Sequence, residues 1–206
     1  MPDSAAASNP LKARPMQPRV VIFAKYPKAG AVKTRLAETI GDTAALRVYR
    51  ALLDHTLIEA RSSGLPAELR YDGAEAADFT QLVTGEIDLV PQGGGDLGER
   101  LARVQAPALV IGSDCPGLTA KKLRKAAKAL AEKDAVIGPA TDGGYWLIGL
   151  ARPMPFLFEA MPWSEPGLLA ATLSKLDEAG IGYAMLKELG DIDTEDDLGH
   201  WPDFRP

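Results

Sequence analysis

Val20–Lys25 reads VVIFAK, and YPKAGAVKTR (Tyr26–Arg35) follows it directly. The first six residues form an apolar run rich in β-branched side chains, stopped by Pro27 and Gly30; this predicts a buried strand running into a loop. Working outward, ALVIGSD (Ala108–Asp114) is the next clear buried strand. Ala135–Ala140 and Tyr145–Leu150 read as two more, separated by Thr141-Asp142-Gly143-Gly144, and Ala67–Tyr71, Ile87–Val90 and Tyr183–Leu186 as shorter ones. Between them, Leu46, Tyr49, Leu53, Leu57 and Ala60 recur at helical spacing and predict a helix over Ala44–Ser62. Further helices are expected around Ala74–Leu82, at the end of Gln92–Leu101, over Ala120–Ala131 behind a Thr119 cap, over Pro166–Ala179, and from Thr194 with Asp197 as its capping-box partner. Strands alternating with helices imply one α/β fold, with a mostly parallel central sheet and helices on both faces. The close strand pair around Asp142–Gly144 predicts an antiparallel edge region.

The composition excludes several functions. The chain has 206 residues, a length suited to one domain with a full core. Residues 1–18, MPDSAAASNPLKARPMQP, read as a loose tail and residues 19–206 as the folded catalytic domain. The net charge of −5 argues against a nucleic-acid binder working by broad phosphate neutralisation. A single cysteine, Cys115, permits no internal disulfide. No apolar run is long enough to span a bilayer, and residues 1–18 lack the apolar centre of a signal peptide, so a cytoplasmic location is expected. Charge is uneven: Arg19, Lys25, Lys28, Lys33, Arg35, Arg47 and Arg50 cluster early, while Glu188, Asp191, Asp193, Glu195, Asp196, Asp197 and Asp203 crowd the other end.

In open parallel sheets, ligands bind beyond the carboxyl ends of the strands. Lys25, Gly30, Lys33, Thr34 and Arg35 follow the first strand there. Gly30 lets the backbone approach an anion, Lys33 and Arg35 supply charge, and Thr34 can open a helix. The loop is neither GKS/GKT nor GxGxxG, and composition alone balances a phosphate site against a basic surface turn. Asp114 ends the Ala108 strand and suits a hard cation such as Mg²⁺ or Mn²⁺, or else simply shapes the turn before Pro116. Asp191 and Asp193 share a side if extended and could complete the metal set, with Asp193 as a helix cap the competing role. Asp142, with Gly143, Gly144 and Tyr145, forms either a hairpin turn or the contact for an acceptor. Gln92–Gly98 is a flexible connection or a loop closing over base and ribose, with Gln92, Asp96 and Arg100 as contacts. Trp163 reads as core or cleft wall. His55 and His200 receive no catalytic role, and Cys115 has no evident His partner that would make it a nucleophile.

FAKYPKAGAVKTRLA, QGGGDLGERL, IGSDCPGL, IGPATDGGYWLIGL, PWSEP and DIDTEDDL, in this order, resemble the DUF2064 family of bacterial glycosyltransferase-A-like proteins. The resemblance runs from about Val20 to Trp201. It implies a glycosyltransferase-A-like, Rossmann-like sandwich of the nucleotide-diphospho-sugar transferase superfamily. That superfamily also holds nucleotidyltransferases for 2-phospholactate, molybdopterin and CMP-sugars. In such relatives a basic loop after the first strand holds nucleotide phosphates, here Lys25–Arg35, and an aspartate in a (G/S)D-x-P turn binds Mg²⁺, here Asp114. A late D-x-D, here Asp191 and Asp193, can complete the metal site. The glycosyltransferase-A D-x-D after a central strand keeps only one acid here, in Ser113-Asp114-Cys115.

The resulting expectation is a metal-dependent transferase moving a glycosyl group from a nucleotide-sugar to a small-molecule acceptor. Asp114 and Asp142 carry catalysis, Asp142 as acceptor contact or general base. The alternative is a nucleotidyltransferase coupling an NTP to a phosphorylated metabolite with release of pyrophosphate. A non-catalytic nucleotide-binding accessory protein is the further alternative.

Overall fold

The computed structural model describes residues 17–206; the tail reading of residues 1–18 falls largely outside the described residues. The elements in order are β1 (Arg19–Lys25), α1 (Thr34–Ile40), α2 (Asp42–Ser62), β2 (Ala67–Asp72), α3 (Ala76–Thr80), β3 (Asp88–Pro91), α4 (Leu97–Ala102) and β4 (Ala108–Ile111). Then follow α5 (Ala120–Leu130), β5 (Ala135–Pro139), β6 (Tyr145–Leu150), α6 (Leu168–Glu178), β7 (Tyr183–Met185) and α7 (Glu195–Gly199). Seven strands form one sheet in the order β3-β2-β1-β4-β6-β5-β7. All neighbours pair in parallel except β6, which runs antiparallel to both β4 and β5. The antiparallel strand is therefore interior and not at the edge that the hairpin spacing suggested. The Asp142–Gly144 turn returns the chain inward to β4, and β7 then covers the outer side of β5.

Alternation along β1 explains why both faces are covered. Val20, Ile22 and Ala24 pack with Tyr49, Leu53 and Leu57 of α2 and Leu123, Ala126 and Leu130 of α5. Val21 points to the opposite face, with Leu101, Leu157, Phe158 and Leu176. A third cluster matters most for the site. Leu36 of α1 and Ala45, Val48 and Leu52 of α2 pack against Ile192 and Leu198. This apolar seam draws the basic loop before α1 to the acidic segment before α7. At β5–β6 the register shifts between Gly138 and Pro139. Such an irregularity re-aims side chains: Trp146 and Leu147 join the α2/α5 core, while Tyr145 and Ile148 pack on the α6 side.

Candidate functional site

The loop after β1 closes with Gly30 at φ +75° and Lys33 at φ 48°. Lys33 stands at the N-cap of α1 in the left-handed conformation, without a side-chain cap bond. A non-glycine residue held there is strained, and such strain collects at functional sites. Its side chain, only 5% exposed, reaches across to the end of β4. Nζ lies 3.1 Å from Asp114 Oδ2 and 3.8 Å from Asp193 Oδ1. Arg35 Nη1 donates to Asp193 Oδ2 at 2.8 Å, and that hydrogen bond raises the guanidinium pKa further. Lys25 ends β1 and is exposed; its backbone is pinned by Tyr49, whose hydroxyl accepts from Lys25 N–H at 2.9 Å and donates to Lys25 C=O at 2.8 Å. Thr34 is the exposed first residue of α1.

Asp193 does not cap α7. Thr194 is the N-cap, its hydroxyl accepting from Asp197 N–H at 3.3 Å, and Asp197 completes the box. Asp193 is thereby left for Lys33 and Arg35. Its neighbour Ile192 is fully buried, and Ile192 N–H donates to Asp114 C=O at 3.2 Å. One backbone bond thus anchors Asp191 and Asp193 beside Asp114. Burial, and then the charge of Asp114, push the Asp191 carboxyl up to about 6, with Lys33 opposing.

Among the described residues no group of three His, Cys, Asp or Glu closes around a common point. Asp114 and Asp193 nevertheless converge on one cation, the Lys33 ammonium, and their donors are all hard oxygens. That set fits Mg²⁺ or Mn²⁺ held by one or two carboxylates with phosphate oxygens completing the sphere, rather than a full protein cage.

Beside this ion-pair cluster a cavity of about 290 Å³ opens, with Asp114, Asp142 and Asp191 on its wall together with Gly144, Tyr145 and Trp163. Gly144 N–H donates to Asp142 Oδ1 at 2.8 Å and orients that exposed carboxylate. Trp163 stacks on Phe158, with centroids 6.4 Å apart. The Tyr145 hydroxyl is buried without a partner in hydrogen-bonding geometry among the described residues; burial drives its pKa upward, opposed by the neighbouring Thr172 hydroxyl, which itself donates to Leu168 C=O at 2.9 Å. The space beside Gly143 is taken by the chain itself: a Cβ there would stand 2.2 Å from the Pro166 carbonyl oxygen.

Among the described residues no hydrogen bond or ion pair joins the Gln92–Arg100 segment to the ion-pair cluster; its polar side chains are tied into the fold. The Gln92 amide donates to the carbonyls of Ala24 at 3.2 Å and Arg70 at 3.0 Å. Asp96 caps α4 by accepting from Glu99 N–H at 2.8 Å. Arg100 Nη1 donates to Asp72 Oδ2 at 2.9 Å and to Gln92 Oε1 at 3.1 Å. Leu97 of that segment and Leu101 just after it reach the cavity wall, as do Phe23 and Leu168, none of them singled out by the sequence. Their apolar character reads as core, and only the assembled cavity separates wall from core. Cys115 is buried, and burial, followed by Asp114, pushes its thiol up to about 12.

The family model described as "Uncharacterized protein conserved in bacteria (DUF2064)" matches residues 56–165. No curated protein matches the chain. A Desulfovibrio desulfuricans G20 protein, described as a candidate nucleotide-diphospho-sugar transferase, superposes with a TM-score of 0.81 at 30% identity, over 88% of this chain and 84% of its own. Rv0371C of Mycobacterium tuberculosis H37Rv, solved in complex with manganese, gives 0.52 at 20% identity over 89% and 97%. The 4-diphosphocytidyl-2C-methyl-D-erythritol synthase of Anaerococcus prevotii DSM 20548 gives 0.59 at 12% over 90% and 96%. The chain has the fold of nucleotide-diphospho-sugar transferases and nucleotidyltransferases. Among the described residues no helix is long and apolar enough to cross a membrane.

Proposed function

The chain belongs to the DUF2064 family, and from that premise we propose that residues 19–206 transfer a glycosyl group from a nucleotide-sugar to a small-molecule acceptor. The observation that carries this reading is the meeting of Lys33 and Arg35 with Asp114 and Asp193 beside a cavity walled by Asp142. The description of the Desulfovibrio relative supports it. Lys33 and Arg35 bind the diphosphate of the donor, Arg35 with two oxygens at once. Asp114, with Asp193 and Asp191, would hold Mg²⁺ or Mn²⁺, which supplies charge neutralisation to the leaving diphosphate. Breaking the anomeric carbon–phosphate oxygen bond sends its electron pair to the departing nucleotide. The acceptor hydroxyl oxygen bonds to that carbon, and Asp142 takes its proton. Asp142 Oδ1 accepts from Gly144 N–H, which leaves Oδ2 for this task.

Nucleotidyl transfer is the second reading, supported by the number of cations in the Lys25–Arg35 loop, which also suits a triphosphate. The test is calorimetric titration of nucleoside diphosphates with Mn²⁺ into the wild type, Lys33→Ala and Asp114→Ala. Losing a charge-assisted bond of about 1.5–3 kcal/mol weakens binding roughly 10- to 150-fold. Unchanged affinity in Lys33→Ala removes the phosphate-loop assignment. Pyrophosphate released from an NTP and a phosphorylated metabolite moves the assignment to nucleotidyl transfer. Tight binding that survives EDTA and Asp114→Ala, with no product, leaves a nucleotide-binding accessory protein.

A further inference from the structure

The cavity and the basic loop carry opposite chemistry. Lys33 and Arg35 stand on the loop side of Asp114 and Asp193, and neither lines the cavity. The charged residues on the cavity wall are Asp114, Asp142 and Asp191, with no Lys or Arg among them. The rest of the wall is largely apolar, with Phe23, Leu101, Ile148, Trp163 and Leu168 inside and Leu97 at the rim, 42% exposed. We infer that the second substrate is an uncharged hydroxyl compound with an apolar face, bearing neither phosphate nor carboxylate.

With Asp114 paired to Lys33, and Asp114 and Asp191 assigned to the metal, an anionic group entering this cavity would still face the Asp142 carboxylate with no Lys or Arg on the wall to pair with it, and an unpaired buried charge beside a like charge is strongly unfavourable. A hydroxyl finds an acceptor in Asp142, and an apolar face packs on Trp163 and its aliphatic neighbours. The volume, about 290 Å³, stands at the lower end of small-molecule sites of roughly 300–1,000 Å³. Phosphate-bearing and hydroxyl-bearing partners are thus sorted to the two sides of the Asp114–Asp193 line. The inference rests on the reading of the cavity as the acceptor side of a glycosyl transferase. It deepens that reading, because a nucleotidyltransferase acting on a phosphorylated metabolite needs Lys or Arg side chains here to hold the metabolite's own phosphate.

The test uses two probes sharing one ring: phenyl β-glucoside, uncharged, and phenyl phosphate. Both are titrated into the full chain without nucleotide, following tryptophan fluorescence, since Trp146 and Trp163 line the cavity. The glucoside is expected to bind saturably and at least tenfold more tightly than the phosphate. Trp163→Ala weakens the glucoside at least fivefold. Leu97→Arg, at the cavity rim, narrows the preference at least fivefold by improving the phosphate, with far-ultraviolet circular dichroism confirming that the variant is folded. Equal or tighter binding of phenyl phosphate to the wild type overturns the inference. So does a glucoside that fails to saturate, or a preference indifferent to Leu97→Arg. Nucleoside diphosphate affinity is measured separately on the same protein: its loss with the probe preference intact sinks the transferase reading and not the chemistry of the cavity.

Discussion

Gly143→Ala and Gly180→Ala form a pair that measures how tightly the Asp142 turn is held. Both glycines take left-handed φ, +87° and +63°. Gly180 stands just past the end of α6, and an added Cβ there meets nothing within 4 Å. Gly180→Ala therefore reports the backbone effect alone. Left-handed strain of about 1–2 kcal/mol is offset by roughly 0.4–1 kcal/mol from a less flexible unfolded chain. At Gly143 the same Cβ would press on the Pro166 backbone, 2.2 Å from its carbonyl oxygen and 2.7 Å from its Cα. Backbone on both sides cannot swing away as a side-chain end could, so an overpacking term of about 1–3 kcal/mol adds. For a domain of this size each kcal/mol shifts Tm by about 2–4 °C, so Gly143→Ala should melt roughly 2–12 °C below Gly180→Ala. Thermal unfolding followed by far-ultraviolet circular dichroism, with urea titration to convert to free energy, reads the difference. Equal Tm values for the two variants would refute the packing of Pro166 against this turn. The contact matters for function because Leu169 N–H also donates to Gly143 C=O at 2.9 Å. The turn bearing Asp142 and the start of α6 form one packed unit.

Hydrogen bonds from Thr194 and the Asp193 N–H hold the Asp197 carboxyl below its usual 3.8, against an opposing push from burial. A depressed acid stabilises the fold above its unfolded pKa, and this is lost as pH falls below about 4. Thr194→Ala should cost about 1 kcal/mol at pH 7 and progressively less in acid, measured by urea unfolding; a pH-independent loss excludes the capping box as the cause. Cys115, with its thiol at about 12, should resist iodoacetamide at pH 8 in the folded chain and react readily in urea. Rapid labelling of native protein would contradict its burial. Tyr145→Phe deletes a buried hydroxyl left without a well-formed bond because its neighbour Thr172 donates to Leu168 C=O, so Tm should hold or rise by a few degrees, in keeping with roughly 1–3 kcal/mol for an unsatisfied polar group. A clear fall would mean that the hydroxyl has a partner.

Much of the site's chemistry was legible locally. Strands β1, β4 and β6 announce themselves because buried strands need unbroken apolar runs, and α2 because a half-buried helix needs period 3.6. The Thr119 and Thr194 caps follow from side chains bonding their own backbone three residues on. Ends were less legible: α3 shrinks to Ala76–Thr80 and α6 starts at Leu168 rather than Pro166, since terminal turns are decided by packing.

By itself, then, the amino-acid order determined an α/β chain with cations after its first strand, an acid after its fourth and two acids near its end. Only the tertiary structure decided what those charges meet. Lys33 reaches Asp114 across 81 residues and Arg35 reaches Asp193 across 158. Nothing periodic in the chain encodes those distances. The apolar seam of Leu36, Leu52, Ile192 and Leu198 brings the segments together, and hydrophobic burial is non-directional, specifying partners only once the sheet order is set. The same holds for β6, whose interior place depends on pairing with β4, and for the cavity wall, whose residues read as core until the gap between them exists.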